Sequence, residues 1–135
     1  MSTMLEGKVV IVTGSGGGIG RDMFLAMAQQ GAKVVVNDIG TSTTGEGHDD
    51  GPAQKVVNEI KAAGGEAVAN TDTVSDANAA AKIVQCALDS FGKLDGIVNN
   101  AGILRDRFFH KMSVDEWDAV IKVHLYGSFY VARAA

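Results

Sequence analysis

The stretch from Val9 to Gly20 constrains the fold more tightly than any other part of the chain. Val9-Val10-Ile11-Val12 is a β-branched run without polar alternation, the pattern of a strand buried on both faces of a parallel sheet. It leads directly into Thr13-Gly14-Ser15-Gly16-Gly17-Gly18-Ile19-Gly20, after which Arg21 to Gln30 is helix-forming. Strand, glycine turn and helix in this order make a site for a dinucleotide pyrophosphate. Gly14 permits the tight turn, Gly18 lets the backbone approach the phosphates, and Gly20 lets helix and strand pack closely. The helix N-terminus adds free N–H groups and the positive end of its dipole.

The alternation of strand and helix continues along the chain. Gly31 caps the first helix, and Val34-Val35-Val36 reads as a second buried strand. Thr41 to Gly51 is a polar, glycine-punctuated loop. Pro52 then suits the first turn of a helix whose apolar positions are Ala53, Val56, Val57 and Ile60. Gly64-Gly65 ends that helix ahead of a third strand near Ala67 to Asn70. Ser75 is the expected cap of the next helix, with Ala80, Ile83, Val84, Ala87, Leu88 and Phe91 on its buried face. A fourth strand covers about Gly96 to Val98, and Ser113 with Glu116 forms a capping box for a last helix starting near Val114. The expectation is a single α/β domain over residues 1–135, a doubly wound parallel sheet that is incomplete at its C-terminal end.

Charge and cysteine content exclude several functions. Twelve Lys and Arg against sixteen Asp and Glu give a net charge of −4, without the basic stripe that tracks a phosphate backbone, so nucleic acid is not an expected partner. Cys86 is the lone cysteine, which rules out an internal disulfide. It lies beside a helical stripe with no cationic neighbour in view, so a small packed residue is expected rather than a reactive thiol. No apolar run reaches the ~18–20 residues that span a bilayer, and no leader pattern is evident. No membrane segment and a cytoplasmic location are the expectations.

Two further stretches carry chemistry. Asp38 follows the second strand, eighteen residues after Gly20, near the position of the acid that accepts hydrogen bonds from an adenosine ribose. A carboxylate there repels a 2′-phosphate, and no Arg or Lys occurs from Ile39 to Gly51, so NAD is expected over NADP. Asn99-Asn100-Ala101-Gly102 closes the fourth strand at the carboxyl edge, where ligands bind in open α/β sheets. Its small residues leave room for a cofactor, while its asparagine amides can also tie strand ends together.

Thr13-Gly-x-x-x-Gly18-Ile19-Gly20 together with Asn99-Asn100-Ala101-Gly102 resembles the short-chain dehydrogenase/reductase family, from about Leu5 to Ala135. The resemblance corresponds to the amino-terminal half of such an enzyme. It implies a Rossmann-type sheet, truncated after about four strands, in the order 3-2-1-4. It places the cofactor on Gly14, Gly18, Ile19, Gly20, Asp38, Asn100, Ala101 and Gly102, and the adenine near Asp72, Thr73 and Val74. Asp72 and Thr73 both remain candidates for the adenine contact, because the family often has Asp immediately before Val.

Gly102 to Arg107 and Trp117 to Gly127 resemble more narrowly the (3R)-hydroxyacyl-CoA dehydrogenase domain of peroxisomal multifunctional enzyme type 2 and its bacterial relatives. The family usually carries a catalytic Asn where this chain has His124, and histidine there is also a feature of the hydroxyacyl-CoA group. His124 is therefore the candidate catalytic residue, with a hydrogen-bonded helix histidine as the alternative. The implied parent protein is an NAD-dependent oxidoreductase that interconverts a secondary alcohol and a ketone on a small-molecule substrate, with 3-hydroxyacyl thioesters as candidates.

The family's Ser and Tyr-x-x-x-Lys have no counterpart, since Tyr126 is followed four residues on by Tyr130, and Tyr130 by Ala134. These 135 residues alone are expected to be inactive. A non-catalytic dinucleotide-binding module is the alternative, and Asn99 to Gly102 argues against an adenosylmethionine-dependent methyltransferase. His48 and His110 lack metal-ligand spacing, and no metal is expected. Arg105 and Asp106 are read either as facing the substrate entrance or as a local ion pair. Val114, Trp117, Ile121 and Leu125 recur at helical spacing, as core or as a subunit interface, and the resemblance implies a homo-oligomer.

Overall fold

The computed structural model describes residues 3–14, 18–40 and 51–135. Ser15 to Gly17 of the glycine turn and most of the Thr41 to Gly51 loop, His48 included, lie outside the described residues. Strand β1 (Val9–Thr13) leads to helix α1 (Gly18–Gln29), β2 (Lys33–Asn37), α2 (Gly51–Ala62), β3 (Glu66–Asn70), α3 (Ala77–Phe91) and β4 (Gly96–Val98). A short 3-10 turn at Phe109–Lys111 precedes α4 (Val114–Ile121), a π-helical turn at Lys122–Tyr126, and α5 (Gly127–Ala134).

All strand pairings are parallel, in the order β3-β2-β1-β4. β1 is buried at every position because both faces of the sheet are covered. Val10 and Val12 join Val34, Val36, Phe24 and the α2 residues Val56, Val57 and Ile60 on one face. Val9 and Ile11 join Val35, Ile83, Ala87 and Val131 on the other. Alternation along each strand thus assigns side chains to two separate cores. The last register of the sheet is polar, with Thr13 opposite Asn37 and Asn37 opposite Asn70.

Local signals and structure differ at a few points. Asp76, not Ser75, caps α3, its carboxylate accepting from the Ala79 N–H at 2.8 Å. Ser75 is turned the other way, its hydroxyl 2.9 Å from that of Thr73. Leu88 is exposed, so the buried stripe of α3 is narrower than its apolar pattern. α1 begins at Gly18, three residues earlier than the helix-forming run from Arg21, so the last glycines of the turn already belong to its first turn. Val114, Trp117 and Leu125 lie exposed rather than in the core. Among the described residues no helix is long and apolar enough to cross a membrane.

β4 is held to β1 by more than its three-residue ladder. The Asp95 carboxylate accepts the Val9 N–H at 2.8 Å and meets Lys93 Nζ at 3.0 Å. The Val9 N–H first, and then Lys93, hold this carboxyl below the ordinary range. A depressed folded-state pKa contributes stability above the unfolded value of about 3.9 and loses it as pH falls through the folded value. Asp95→Ala should therefore lower the thermal midpoint at pH 7, and the gap to the unsubstituted chain should narrow as pH falls below the unfolded value and through the folded one. A pH-independent gap in a thermal-melt series would show that the charge is not responsible.

Candidate functional site

The carboxyl ends of the strands open into one cleft of about 930 Å³, toward the upper end of the range for small-molecule sites. Eleven residues from four separate stretches, anticipated as a cofactor site, all line it. Gly14, Gly18, Ile19 and Gly20 form one wall, and Asp38 stands at the end of β2. Asp72, Thr73 and Val74 follow β3, and Asn100, Ala101 and Gly102 follow β4. Topology explains the convergence, because β1 is central and the sequence of crossovers reverses direction between β1 and β4.

Thr13 links the two central stretches. Its buried hydroxyl accepts the N–H groups of Asn100 at 3.1 Å and Ala101 at 3.0 Å, while the Asn100 side chain donates back to the Gly14 carbonyl at 3.0 Å. Gly14 has φ +66°, and a Cβ on it would fall 2.7 Å from the Ala101 Cα. The residue is thus required twice, once by its backbone conformation and once by the closeness of the neighbouring loop. Beyond the turn, the N-terminus of α1 faces the cleft, and Ile19 leaves an apolar side chain 74% exposed beside it.

At the far end, the Asp38 carboxylate accepts the Gly40 N–H at 2.6 Å, and the Asp38 N–H is bonded to the Asn70 carbonyl at 3.0 Å. Asn37 is a cleft-lining residue that sequence reasoning missed, although a polar residue ending a Val-Val-Val strand is itself a signal. Val123, one residue before His124, also lines the cleft. Only tertiary placement of the helix brings it there, so no local pattern marks it.

His124 is not part of the cleft lining. Its Nε2 lies 3.1 Å from the Ile103 nitrogen and 3.0 Å from the Ile103 oxygen, and its ring covers Gly102, where a Cβ would fall 2.6 Å from the ring carbon Cε1. A single ring nitrogen either accepts from the Ile103 N–H or donates to its carbonyl. The Ser128 hydroxyl donates to the His124 carbonyl at 2.8 Å, meeting a backbone group in the π-helical turn.

The local ion pair runs from Arg107 to Glu116, at 2.9 Å, and not between Arg105 and Asp106. Arg107 holds the Glu116 carboxyl below its ordinary range, with help from the Ser113 N–H that completes the capping box. Arg105 lines the cleft, its Nη1 buried without a partner among the described residues. Burial pushes the Cys86 thiol up, in keeping with a packed residue. No group of three or more potential metal ligands occurs among the described residues.

A parallel sheet in this order, with a glycine turn and a small-residue loop facing each other across its carboxyl edge, defines a Rossmann-type nucleotide-binding protein. The sequence model of the short chain dehydrogenase family matches residues 8–135, and the chain belongs to that family. It is 53% identical over 131 residues to a short-chain type dehydrogenase/reductase of Mycobacterium tuberculosis, covering 97% of this chain and 46% of the relative. Against peroxisomal multifunctional enzyme type 2 of Mus musculus it is 54% identical over 130 residues, covering 96% of this chain and 17% of that protein. A crystal structure of a short chain dehydrogenase from Mycobacterium avium matches with a TM-score of 0.89 and 54% identity, over 98% of this chain and 46% of that one. The chain thus spans about half the length, or less, of these relatives.

Thr13→Val keeps the shape of the side chain and removes its hydroxyl, leaving the Ala101 N–H without its acceptor. A loss of about 1–2 kcal/mol is expected in urea denaturation, against well under 1 kcal/mol for Thr13→Ser. Equal losses would assign the effect to packing instead.

Proposed function

We propose that this chain is the dinucleotide-binding unit of an NAD-dependent short-chain dehydrogenase that interconverts a secondary alcohol and a ketone, with 3-hydroxyacyl and 3-oxoacyl thioesters as the substrate class. The observation that carries the reading is the meeting of the glycine turn, Asp38, the Asp72 to Val74 segment and the Asn100 to Gly102 loop on one cleft. A dinucleotide fits what the residues offer: a glycine wall at the α1 N-terminus for the pyrophosphate and a carboxylate at the ribose end. Gly18, with φ +55°, meets nothing within 4 Å among the described residues where a Cβ would project, which supports close approach to its backbone. The substrate class rests on the narrower resemblance around Gly102 to Arg107 and on the identity to the multifunctional enzyme.

The nicotinamide, when bound, supplies the hydride acceptor or donor. Within this chain, Asn100, Ala101 and Gly102 bound the space for its end of the cofactor, and Ile19 shields it from the α1 side. Asp38 reads the ribose hydroxyls, its carboxylate already oriented by the Gly40 N–H. At the purine, Asp72 is the better candidate than Thr73, because the Thr73 hydroxyl is engaged by Ser75. His124 is the candidate catalytic residue of this segment, acting through the Ile103 backbone that it clasps. The 135 residues contain no Tyr-x-x-x-Lys, and a tyrosine with its ordinary pKa near ~10 is a poor base at neutral pH, so the chain alone should bind cofactor without turnover. The exposed Val114, Trp117, Leu125 and Phe129 support a homo-oligomeric interface on α4, the π-helical turn and α5.

Cofactor choice gives the direct test. Asp38→Ala should weaken NADH binding about tenfold while leaving NADPH unchanged or improved, read by cofactor fluorescence titration. An equal loss for both cofactors would remove Asp38 from the ribose, and failure of the unsubstituted protein to bind either would remove the dinucleotide.

A further inference from the structure

The polar end of the sheet contains a hydrogen-bond relay, reached also by the Cys86 thiol through Asn70, that the cofactor reading does not use. Asn37, 2% exposed, donates from one Nδ2 to two acceptors, the Asn70 Oδ1 at 2.8 Å and the Asp72 carbonyl at 2.9 Å. Asn70 Oδ1 also accepts the Asp72 N–H at 3.0 Å, which occupies both of its lone pairs. The Asn70 Nδ2 then faces the Asp72 carboxylate and donates to its Oδ2 at 2.9 Å. Both amide orientations follow, because a flipped Asn70 would set its NH₂ against the Asn37 and Asp72 donors and its oxygen against a carboxylate. Asn37 and Asn70 are register partners on adjacent strands, so the relay is built into the pairing of β2 with β3.

Asp72 lines the cleft, while Asn70 does not. The relay holds one carboxylate oxygen and leaves Oδ1 without a partner among the described residues. An ionised carboxylate is an acceptor only, so it favours a ligand that brings a donor. At the purine end of the cleft, the group that distinguishes bases in this way is the six-position substituent, an amine in adenine and a carbonyl in hypoxanthine.

We propose that Asn70, locked by Asn37, is a positioning residue that presents the Asp72 carboxylate to the six-position amine of the cofactor's purine. Base selection at this end of the cleft then depends on a side chain that touches no ligand. The inference rests on the reading of Asp72 as the purine contact.

The test compares dissociation constants for NADH and for reduced nicotinamide hypoxanthine dinucleotide, read by cofactor fluorescence. The unsubstituted protein should favour NADH by about tenfold or more, as a hydrogen bond to a charged acceptor implies. Asp72→Ala should bring that ratio to about one. Asn70→Asp keeps the shape and the two accepted hydrogen bonds but sets a carboxylate against Asp72, and should reduce the preference to within about twofold of unity. Asn70→Ser, which is too short to reach the carboxylate, should do the same and serves if the first variant does not fold. Combined with Asp72→Ala, it should shift the ratio no further. Full preference in both Asn70 variants, with none in Asp72→Ala, would overturn the positioning role. Full preference in Asp72→Ala would overturn the purine reading beneath it.

Discussion

A parallel sheet must end its strands somewhere, and in this protein β1, β2 and β3 end in hydrogen-bonded side chains rather than in apolar ones. Thr13 is the centre of that arrangement. Its buried hydroxyl receives the two N–H groups that begin the loop after β4, so the end of the central strand and the end of its neighbour form one unit. The glycine turn leaves from the same point, and its Gly14 packs against Ala101. The Asn100 amide joins the same two walls through the Gly14 carbonyl. Backbone groups that leave a ladder need new partners, and side chains at the last register are the nearest ones available.

The same device recurs across the sheet. Asn37 and Asn70 occupy the register that Thr13 occupies in β1, on the face covered by α3, and they bind the loop after β3. Three strands therefore hold two loops through their final residues. The helical segment that crosses the other side of the cleft is held differently. Gly127 lets α5 approach Val74, where a Cβ would fall 2.8 Å from a Val74 methyl, and His124 clasps Ile103 from one turn earlier. His124 lies within the π-helical turn and Gly127 directly follows it; such a local widening is often found near functional sites. Cleft geometry thus depends on a few polar contacts at its rim, while stability comes from the two apolar cores beneath.

Much of this was legible residue by residue. β1, its glycine turn and α1 follow from an uninterrupted apolar run, a glycine cluster and a helical stretch, because each is a local pattern with a local cause. Asp38 could be placed because it follows β2 directly. The misreadings came where two local solutions compete. Ser75 and Asp76 can each cap α3, and the choice falls to Asp76 because Ser75 is drawn to Thr73. For Arg105 the sequence left two readings open, and it lines the cleft, while the ion pair goes to Arg107 because the loop brings it to Glu116. Val114, Trp117 and Leu125 show helical spacing, yet spacing alone does not say what a face meets.

The amino-acid order by itself determined the alternation of strands and helices, the glycine turn and the family, since these are encoded in periodicity and in residues adjacent along the chain. Tertiary structure decided which side chains share the cleft and which support it from behind. Asn70 and Val123 show the difference. Asn70 is brought to Asn37 by strand register and Val123 to the cleft by helix packing, and both are distances through space that neighbouring residues along the chain do not specify.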